Sequence, residues 1–528
     1  MERIPDDKLL RPELIMCLCG AVGTNLTEAG DAIETALLEV GYTPKRLRIT
    51  DLIKEHDAFS ALKPDMPEDE RLYALISAGN HLRKSMDDND AAVRLIISQI
   101  FATRRELNKD PEVPAEGTCF LVHSIKRPEE VETLRALYGD RVFLISVFER
   151  KIKRVENLVN KMTRTAISVQ EAKYKKIAEE IIRVDREEEG DPYGQRVEKV
   201  YPQADVFLRS GDGMRDEARR FIRLLFGAPF ITPSLMESLM FQAEAVSRRS
   251  ADLSRQIGAV IANDAGQVLA TGYNEVPHPQ GGVNWKQPDK ADYDDRDYKV
   301  GRDSAAFTKL ELVAEALAAL RDAGWLAKEY ASLDNDDLAK KALFEGGKPL
   351  DKKGVTNILE FGRIVHAEMA ALTEASMREI SVKGSILYTT TFPCHMCARH
   401  IIAAGISRVV FIEPYPKSRA KSLYERMIRI DGDNEGDLVE NAVVFESFRG
   451  VAPRRFLHMF EMGKRKNEAG FAFDENQLLR APKSVTSGVL EPYTEEGILA
   501  ALGDVKEFVN PGVTSVGGND DGHDNRDA

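Results

Sequence analysis

The sequence predicts an α/β protein of two domains, each a β-sheet packed with helices, and three features carry that expectation. Its 528 residues exceed what one hydrophobic core fills. From residue 14 to about 226, short apolar runs alternate with helix-period segments, the signature of βαβ units on a mostly parallel sheet. A proline-bearing stretch, GAPFITP at 227 to 233, then breaks the alternation, and a different order of helix, hairpin and strands begins.

In chain order, LIMCLCG, GTCFLVHSI, RVFLISVF and ADVFLRS read as buried strands of the first domain, residues 1–229. AGDAIETALLEVG and PEEVETLRALYG supply helices between them. The second domain, residues 230–465, opens on one long helical stretch, SLMESLMFQAEAVSRRSADLSRQ. A hairpin, IGAVIANDAGQVLATGYN, follows, turning at Asp264-Ala265-Gly266, and GSILYTTTF and RVVFIEP give two further strands. An insertion at about 277–363 holds the amphipathic TKLELVAEALAALRDAGWL; inserts of that length are functional or disordered. Residues 466–528 form a C-terminal extension, whose last segment, GGNDDGHDNRDA, has no apolar content and is expected to be disordered. No fixed-period repeat is present.

Composition narrows the function classes. With 43% hydrophobic and 30% charged residues, and no run near the roughly 20 apolar residues that span a bilayer, no membrane role is expected. The start, MERIPDDKLLRPE, is acidic and lacks an apolar core, so it is no secretory signal and a cytoplasmic location is expected. Five cysteines, Cys17, Cys19, Cys119, Cys394 and Cys397, are too few for a disulfide framework, which leaves packing or metal roles. Cys17 and Cys19 are read as small buried hydrophobes, one on each side of their strand. A net charge of −13 disfavours loose binding to long nucleic acid, although a local basic patch can hold a small phosphorylated ligand.

Chemistry concentrates in HAEMAAL at 366–372 and TTTFPCHMCARHIIAAGI at 389–406. A His-x-Glu opening one helix places His366 and Glu368 near one end of it. Cys394 and Cys397, three apart, share one face of the first turn of another helix, where Pro393 suits a helix start and exposed N–H groups stabilise thiolates. A lone C-x-x-C is equally a redox pair or half of a structural zinc site, and a lone His is often a core residue. A structural site calls for a fourth Cys or His. Cys17, Cys19 and Cys119 fall in the other domain, however, and His395 and His400 are offset around the helix. Three ligands and a nearby carboxylate, with H-x-E followed by P-C-x-x-C, fit a catalytic zinc.

These residues, with QIGAVIANDAGQVLATGYNEVP ahead of them and SRVVFIEP behind, resemble the deoxycytidylate-type nucleotide deaminases over roughly residues 235–465. TTTFPC is more similar to that group than to tRNA adenosine deaminases, which usually carry Glu before Pro-Cys. The resemblance implies a cytidine-deaminase-like α/β/α domain. It implies zinc on His366, Cys394 and Cys397, activated water attacking C4 of a cytosine ring, and Glu368 as proton carrier. Asn274 matches the position that contacts the nucleotide sugar; otherwise it is a turn residue. Tyr415, Lys417 and Ser418 offer groups for ring or phosphate, or only a Pro-rich loop. Arg296, Lys299 and Arg302 alternate with acids, as a solvated face or a triphosphate clamp.

In the first domain, CLCGAVGTNLTEAGDAI sits where a P-loop belongs, after a strand and before a helix. Gly20 and Thr27 match that motif, Gly23 and Thr24 lie in the turn, Asn25 stands for the second Gly, and Leu26 replaces the Lys. With GNHLR and HSIKRPEEVETLRALYG, the region resembles nucleoside-phosphate and dephospho-CoA kinases, which implies a P-loop kinase-like parallel sheet. Without the Lys, whose nearest substitutes in sequence are Lys45 and Arg46, it is expected to hold a regulatory nucleotide or serve structure, without phosphoryl transfer. The whole order resembles bacterial antiphage dCTP/dCMP deaminases, which implies dCTP depletion by a homo-oligomer. Alternatives are a housekeeping dCMP deaminase supplying dUMP for thymidylate synthesis, a nucleotide-sensing protein, and a nucleic-acid cytosine editor, the last disfavoured by the charge.

Overall fold

In the computed structural model, which describes residues 11–54, 66–110, 112–165, 171–186, 188, 191–285, 294–345, 347–350, 362–412, 418–431, 439–474, 476 and 482–483, the chain forms two compact units. The first comprises residues 1–231 with 461–528, and the second 232–460. The C-terminal extension therefore groups with the N-terminal unit, while its expected disordered tail lies outside the described residues. No helix among the described residues is long and apolar enough to cross a membrane.

The first unit runs β1 (Leu14–Gly20), α1 (Leu26–Glu39), β2 (Thr43–Arg48), α2 (Ile49–Lys54), α3 (Glu68–Ser85), α4 (Ala91–Asn108), β3 (Thr118–His123), α5 (Pro128–Tyr138) and β4 (Val142–Phe148). It continues with α6 (Lys151–Thr165), α7 (Glu171–Arg186), α8 (Val197–Val200), β5 (Val206–Arg209) and α9 (Met214–Leu225). Its strands lie in the order β2-β3-β1-β4-β5, all parallel. β1, β3 and β4 are buried along their whole length, which is why they read as continuous apolar runs. β2 alternates and carries Pro44, as an edge strand tolerates. Cys17, Cys19 and Cys119 are buried free thiols, and burial pushes all three up, Cys19 to about 12. Cys17 and Cys19 do not face opposite sides: a strand's period of two puts residues two apart on one face.

The second unit runs α10 (Leu235–Ser247), β6 (Gly258–Ala262), β7 (Val268–Tyr273), α11 (Asp297–Val300), α12 (Ser304–Asp322), α13 (Lys328–Ala331), α14 (Asn335–Leu343), α15 (Ala367–Met377) and β8 (Ile386–Thr389). α16 (His395–Ala403), β9 (Arg408–Phe411), α17 (Ala420–Leu423), β10 (Ile428–Ile430), β11 (Val443–Ser447) and α18 (Pro453–Phe460) complete it. The sheet order is β10-β11-β9-β8-β6-β7, with an antiparallel hairpin joined to parallel strands. The long helix expected from residue 234 stops at Ser247. A capping box of Ser234 and Glu237 starts it, and the chain then turns, with Ala251 N–H bound to the Glu275 carboxylate.

Two glycines let helices lie against this sheet. A Cβ on Gly258 would stand 1.9 Å from the Ala243 carbonyl oxygen of α10, and one on Gly272 only 2.1 Å from the Ala367 carbonyl oxygen of α15. Gly272→Ala is therefore expected to cost about 1–3 kcal/mol through overpacking. Val268→Ala on the same strand, where the side chain is exposed, should be near neutral. Equal denaturant midpoints for the two variants would refute this packing argument.

His123, at the end of β3, is buried with Nε2 unpartnered. Burial first, then Arg48 and Arg46, hold its pKa down from 6.5 to about 4. Protonation thus favours the unfolded chain, so its stability contribution is whole above pH 6.5 and falls as pH drops toward about 4. Urea titrations across that window should show a shallower loss in His123→Asn than in the parent; identical slopes would exclude this residue as the source.

Candidate metal centre

The site is assembled by backbone pairing at the end of the hairpin. Just past β7, Glu275 exchanges both backbone hydrogen bonds with Val365, at 3.1 and 3.0 Å, which places His366 as the N-cap of α15. Glu275 is fully buried, and its carboxylate accepts N–H bonds from Ala251 and Val276, both at 2.9 Å. The sequence reading passed over this residue, although a Glu directly after the hairpin's Asn274 is a group that needs partners once buried. The second helix arrives from β8: Cys394 caps α16 and accepts the Cys397 N–H at 3.4 Å, with Pro393 one residue before the cap.

These two helix starts bring three ligand atoms together. His366 Nδ1 lies 3.3 Å from Cys394 Sγ and 3.4 Å from Cys397 Sγ. A tetrahedral zinc with ordinary Zn–S and Zn–N bonds sets its S···N separations at about 3.5 Å, so the donors stand at the spacing the ion requires. Glu368, 3% exposed in the first turn of α15, has Oε2 3.5 Å from Cys397 Sγ, which donates to it. No other cluster of three metal-binding side chains occurs among the described residues.

The electrostatics report crowded negative charge. Hydrogen bonds from Cys397 and then His366 pull the Cys394 thiol down to about 4, and the bond to Cys394 lifts His366 to about 9. Cys397 is driven up by its bond to Cys394, by burial and by Glu368, while burial raises Glu368. One thiol ionises at the expense of the other. A dication inverts that logic, because both thiols bind it as thiolates, so the donor set fits zinc chemically as well as geometrically.

The remaining candidates separate. Asn274 Oδ1 accepts from Ile257 N–H and its Nδ2 donates to the Arg255 carbonyl, both at 2.7 Å. Its amide thus holds the 255–257 loop, so its partners are that loop's backbone groups and not its own turn. Ser418 Oγ accepts from Ala420 N–H at 3.0 Å, and Tyr415 and Lys417 lie outside the described residues. Arg296 is buried and doubly bonded to Asp294, so it belongs neither to a solvated face nor to a free clamp. Lys299 and Arg302 are exposed, lying over the rings of Tyr298 and Phe307.

Comparison with known proteins agrees with this geometry. Residues 233–413 match the family model for the cytidine and deoxycytidylate deaminase zinc-binding region. The family match and the His/Cys/Cys donor set together indicate a zinc-binding hydrolytic deaminase. Within that class the chain is similar to the deoxycytidylate deaminase of Enterobacteria phage T4, 28% identical over 178 residues, covering 34% of this chain and 77% of the phage protein. It is also similar to the tRNA-specific adenosine deaminase of Bacillus subtilis (strain 168), 29% identical over 108 residues, covering 20% and 65% of the two chains. The dCMP deaminase of cyanophage S-TIM5, solved in apo form, aligns over 41% of this chain and 99% of its own at 18% identity and TM-score 0.21.

If His366, Cys394 and Cys397 hold the ion, elemental analysis should find about one zinc per chain, falling to a small fraction in Cys394→Ser. Full occupancy in that variant would remove Cys394 from the ligand set.

Proposed function

We propose that the second unit deaminates the cytosine ring of deoxycytidine nucleotides, dCMP and/or dCTP, to the deoxyuridine nucleotides and ammonia. The observation that carries this reading is the convergence of His366, Cys394, Cys397 and Glu368 in a segment that matches a deaminase family model. Similar proteins from phage T4, phage T2 and mouse bear the name deoxycytidylate deaminase, which favours a mononucleotide over a polynucleotide substrate.

Zinc in the cluster supplies Lewis acidity that makes water a nucleophile near neutral pH. Glu368 does the proton work. Its carboxylate takes a proton from the attacking water and delivers it to ring N3, making C4 electrophilic. It then takes the remaining proton of the hydroxyl added at C4 and carries it to the departing amine, so that the C4–N bond breaks, ammonia leaves and C4 becomes a carbonyl. The burial of Glu368 keeps bulk water from competing for that proton. Ring or phosphate contacts are assigned to Tyr415, Lys417 and Ser418. The support is topological: β8 and β9 are parallel in the register Thr389 with Phe411, so the two strands that precede Cys394 and residues 413–417 in sequence have their carboxyl ends side by side, where α/β sheets bind ligands.

At the level of the whole chain, we read the protein as a cytoplasmic homo-oligomer that lowers dCTP during phage infection, with an N-terminal P-loop kinase-like unit that transfers no phosphoryl group. Purified protein given dCMP, dCTP, CTP and a cytosine-containing oligonucleotide should deaminate one or both deoxynucleotides. Turnover of the oligonucleotide alone would replace this reading with nucleic-acid editing, and activity confined to dCMP would favour the housekeeping role. Glu368→Gln should retain zinc and fold while losing roughly a thousandfold or more in rate. Activity within tenfold of the parent would overturn the assignment of the proton carrier.

A further inference from the structure

The turn between β1 and α1 contains a negative charge supplied by the protein itself. Val22 N–H donates to Asp185 Oδ2 at 2.7 Å, and Lys126 Nζ reaches Asp185 Oδ1 at 2.6 Å while lying 3.4 Å from the Gly20 carbonyl. Asp185 is 1% exposed. On the far side Asn157 of α6 donates to the Gly23 carbonyl at 3.0 Å. Gly23 has φ +88° and meets the Arg154 carbonyl so closely that a Cβ would stand 2.6 Å from it.

Asp185 is badly placed for its own helix. It sits in the last turn of α7, where the helix dipole disfavours an anion, and burying a carboxylate costs several kcal/mol unless partners restore its solvation. Both costs are met by the Val22 N–H, just ahead of the start of α1, and by Lys126. The cation missing at Leu26 is thus present from another strand's end, not from Lys45 or Arg46: Arg46 pairs with Asp31 and Glu34 along α1. A planar carboxylate offers two oxygens, and Val22 and Lys126 take one each. Thr24 Oγ1, in the same turn and nine-tenths buried, is left with no hydrogen-bond partner. A tetrahedral oxyanion has a further oxygen for such a donor.

We propose that Asp185 is a resident substitute for phosphate: it takes the Val22 N–H and Lys126 beside the unpartnered Thr24 hydroxyl of the same turn, and a phosphate-bearing ligand enters the first unit only by displacing it. This is independent of the deaminase reading, and it narrows the expectation of a regulatory nucleotide, since the resting protein has its seat taken.

Calorimetry of the full chain with pyrophosphate tests it. The parent should show no saturable binding at micromolar pyrophosphate. Asp185→Ala should bind at least about tenfold more tightly than the parent, because the lysine regains an unpaired charge, and Asp185→Ala with Lys126→Met should lose that gain. Should the alanine variant fail to fold, Asp185→Asn keeps the shape and one acceptor while removing the charge, and it carries the same expectation. Parent binding as tight as that of the variants would overturn the proposal. So would a variant, shown to be folded by its circular dichroism and cooperative urea unfolding, that gains no pyrophosphate affinity, which would leave Asp185 as a staple between α7 and the turn.

Discussion

Two thiols, an imidazole and a buried carboxylate lie within a few ångströms of one another, and most of the second unit's local design follows from holding them there. Neither helix that carries them would bring its first turn to this point on its own. α15 is drawn in by the Glu275–Val365 backbone pair and by the space Gly272 leaves beneath Ala367; α16 begins at the ligand itself, with Cys394 as its cap. Behind them Phe392 packs edge-on to Phe411 at 4.8 Å and tilts toward Phe445 at 5.5 Å, which joins the cysteine loop to β9 and β11. The cap bond that starts α16 uses a ligand sulfur, so helix formation and ligand placement are one event.

The first unit holds buried acids with cations and backbone donors. Glu13, Asp205 and Glu130 each receive a cation and a backbone donor. Glu13 takes Arg104 at 2.6 Å and the Ala115 N–H at 2.8 Å, and Asp205 takes Arg135 at 2.9 Å and the Leu144 N–H at 2.7 Å. Glu130 accepts the Lys126 N–H at 2.8 Å, with Arg83 at 3.5 Å, while burial still raises its pKa. Removing one member of such a pair strands the other in low dielectric, so these contacts fix the ends of buried strands more than they add stability. Asp185 follows the same rule, taking Lys126 as its cation and the Val22 N–H of the β1–α1 turn as its backbone donor.

The strands were legible because a parallel sheet covered on both faces has to be apolar throughout, as LIMCLCG and VFLISVF are. The ligand set was legible because its parts are local: H-x-E and C-x-x-C each lie within one helical turn. What was hidden depends on distant pairing. Asp185 meets Val22 across 163 positions and Lys126 across 59, and no spacing rule connects a helix C-terminus to a loop that far away. Asn274 was visible, but its partners at 255 and 257 were not, because the sequence up to Gln256 continued a helical pattern that the structure ends at Ser247 and Ile257 read only as the start of the hairpin. Apolar periodicity cannot signal that stop; the buried carboxylate of Glu275, which takes the Ala251 N–H, enforces it.

The insertion raises the question of how so long a segment can sit immediately before a metal ligand without displacing it. Its entry and exit are tied together. Arg296 is clamped to Asp294 near the start, and Arg363, three residues before His366, pairs with Asp295 and lies 3.4 Å from Asp297. Asp297 in turn accepts Ser304 N–H at 3.0 Å and its hydroxyl at 2.8 Å. Between these points α12 and α14 bury Val313, Ala314, Ala339, Ala342 and Leu343 in a small core of their own. A segment that leaves and returns at one place, with its own core, costs the parent fold mainly a loop-closure term that grows only with the logarithm of length. The ionic clasp at 294–297 and 363 therefore lets the insertion vary in size while the Glu275–Val365 pair, two residues further on, continues to set the position of His366.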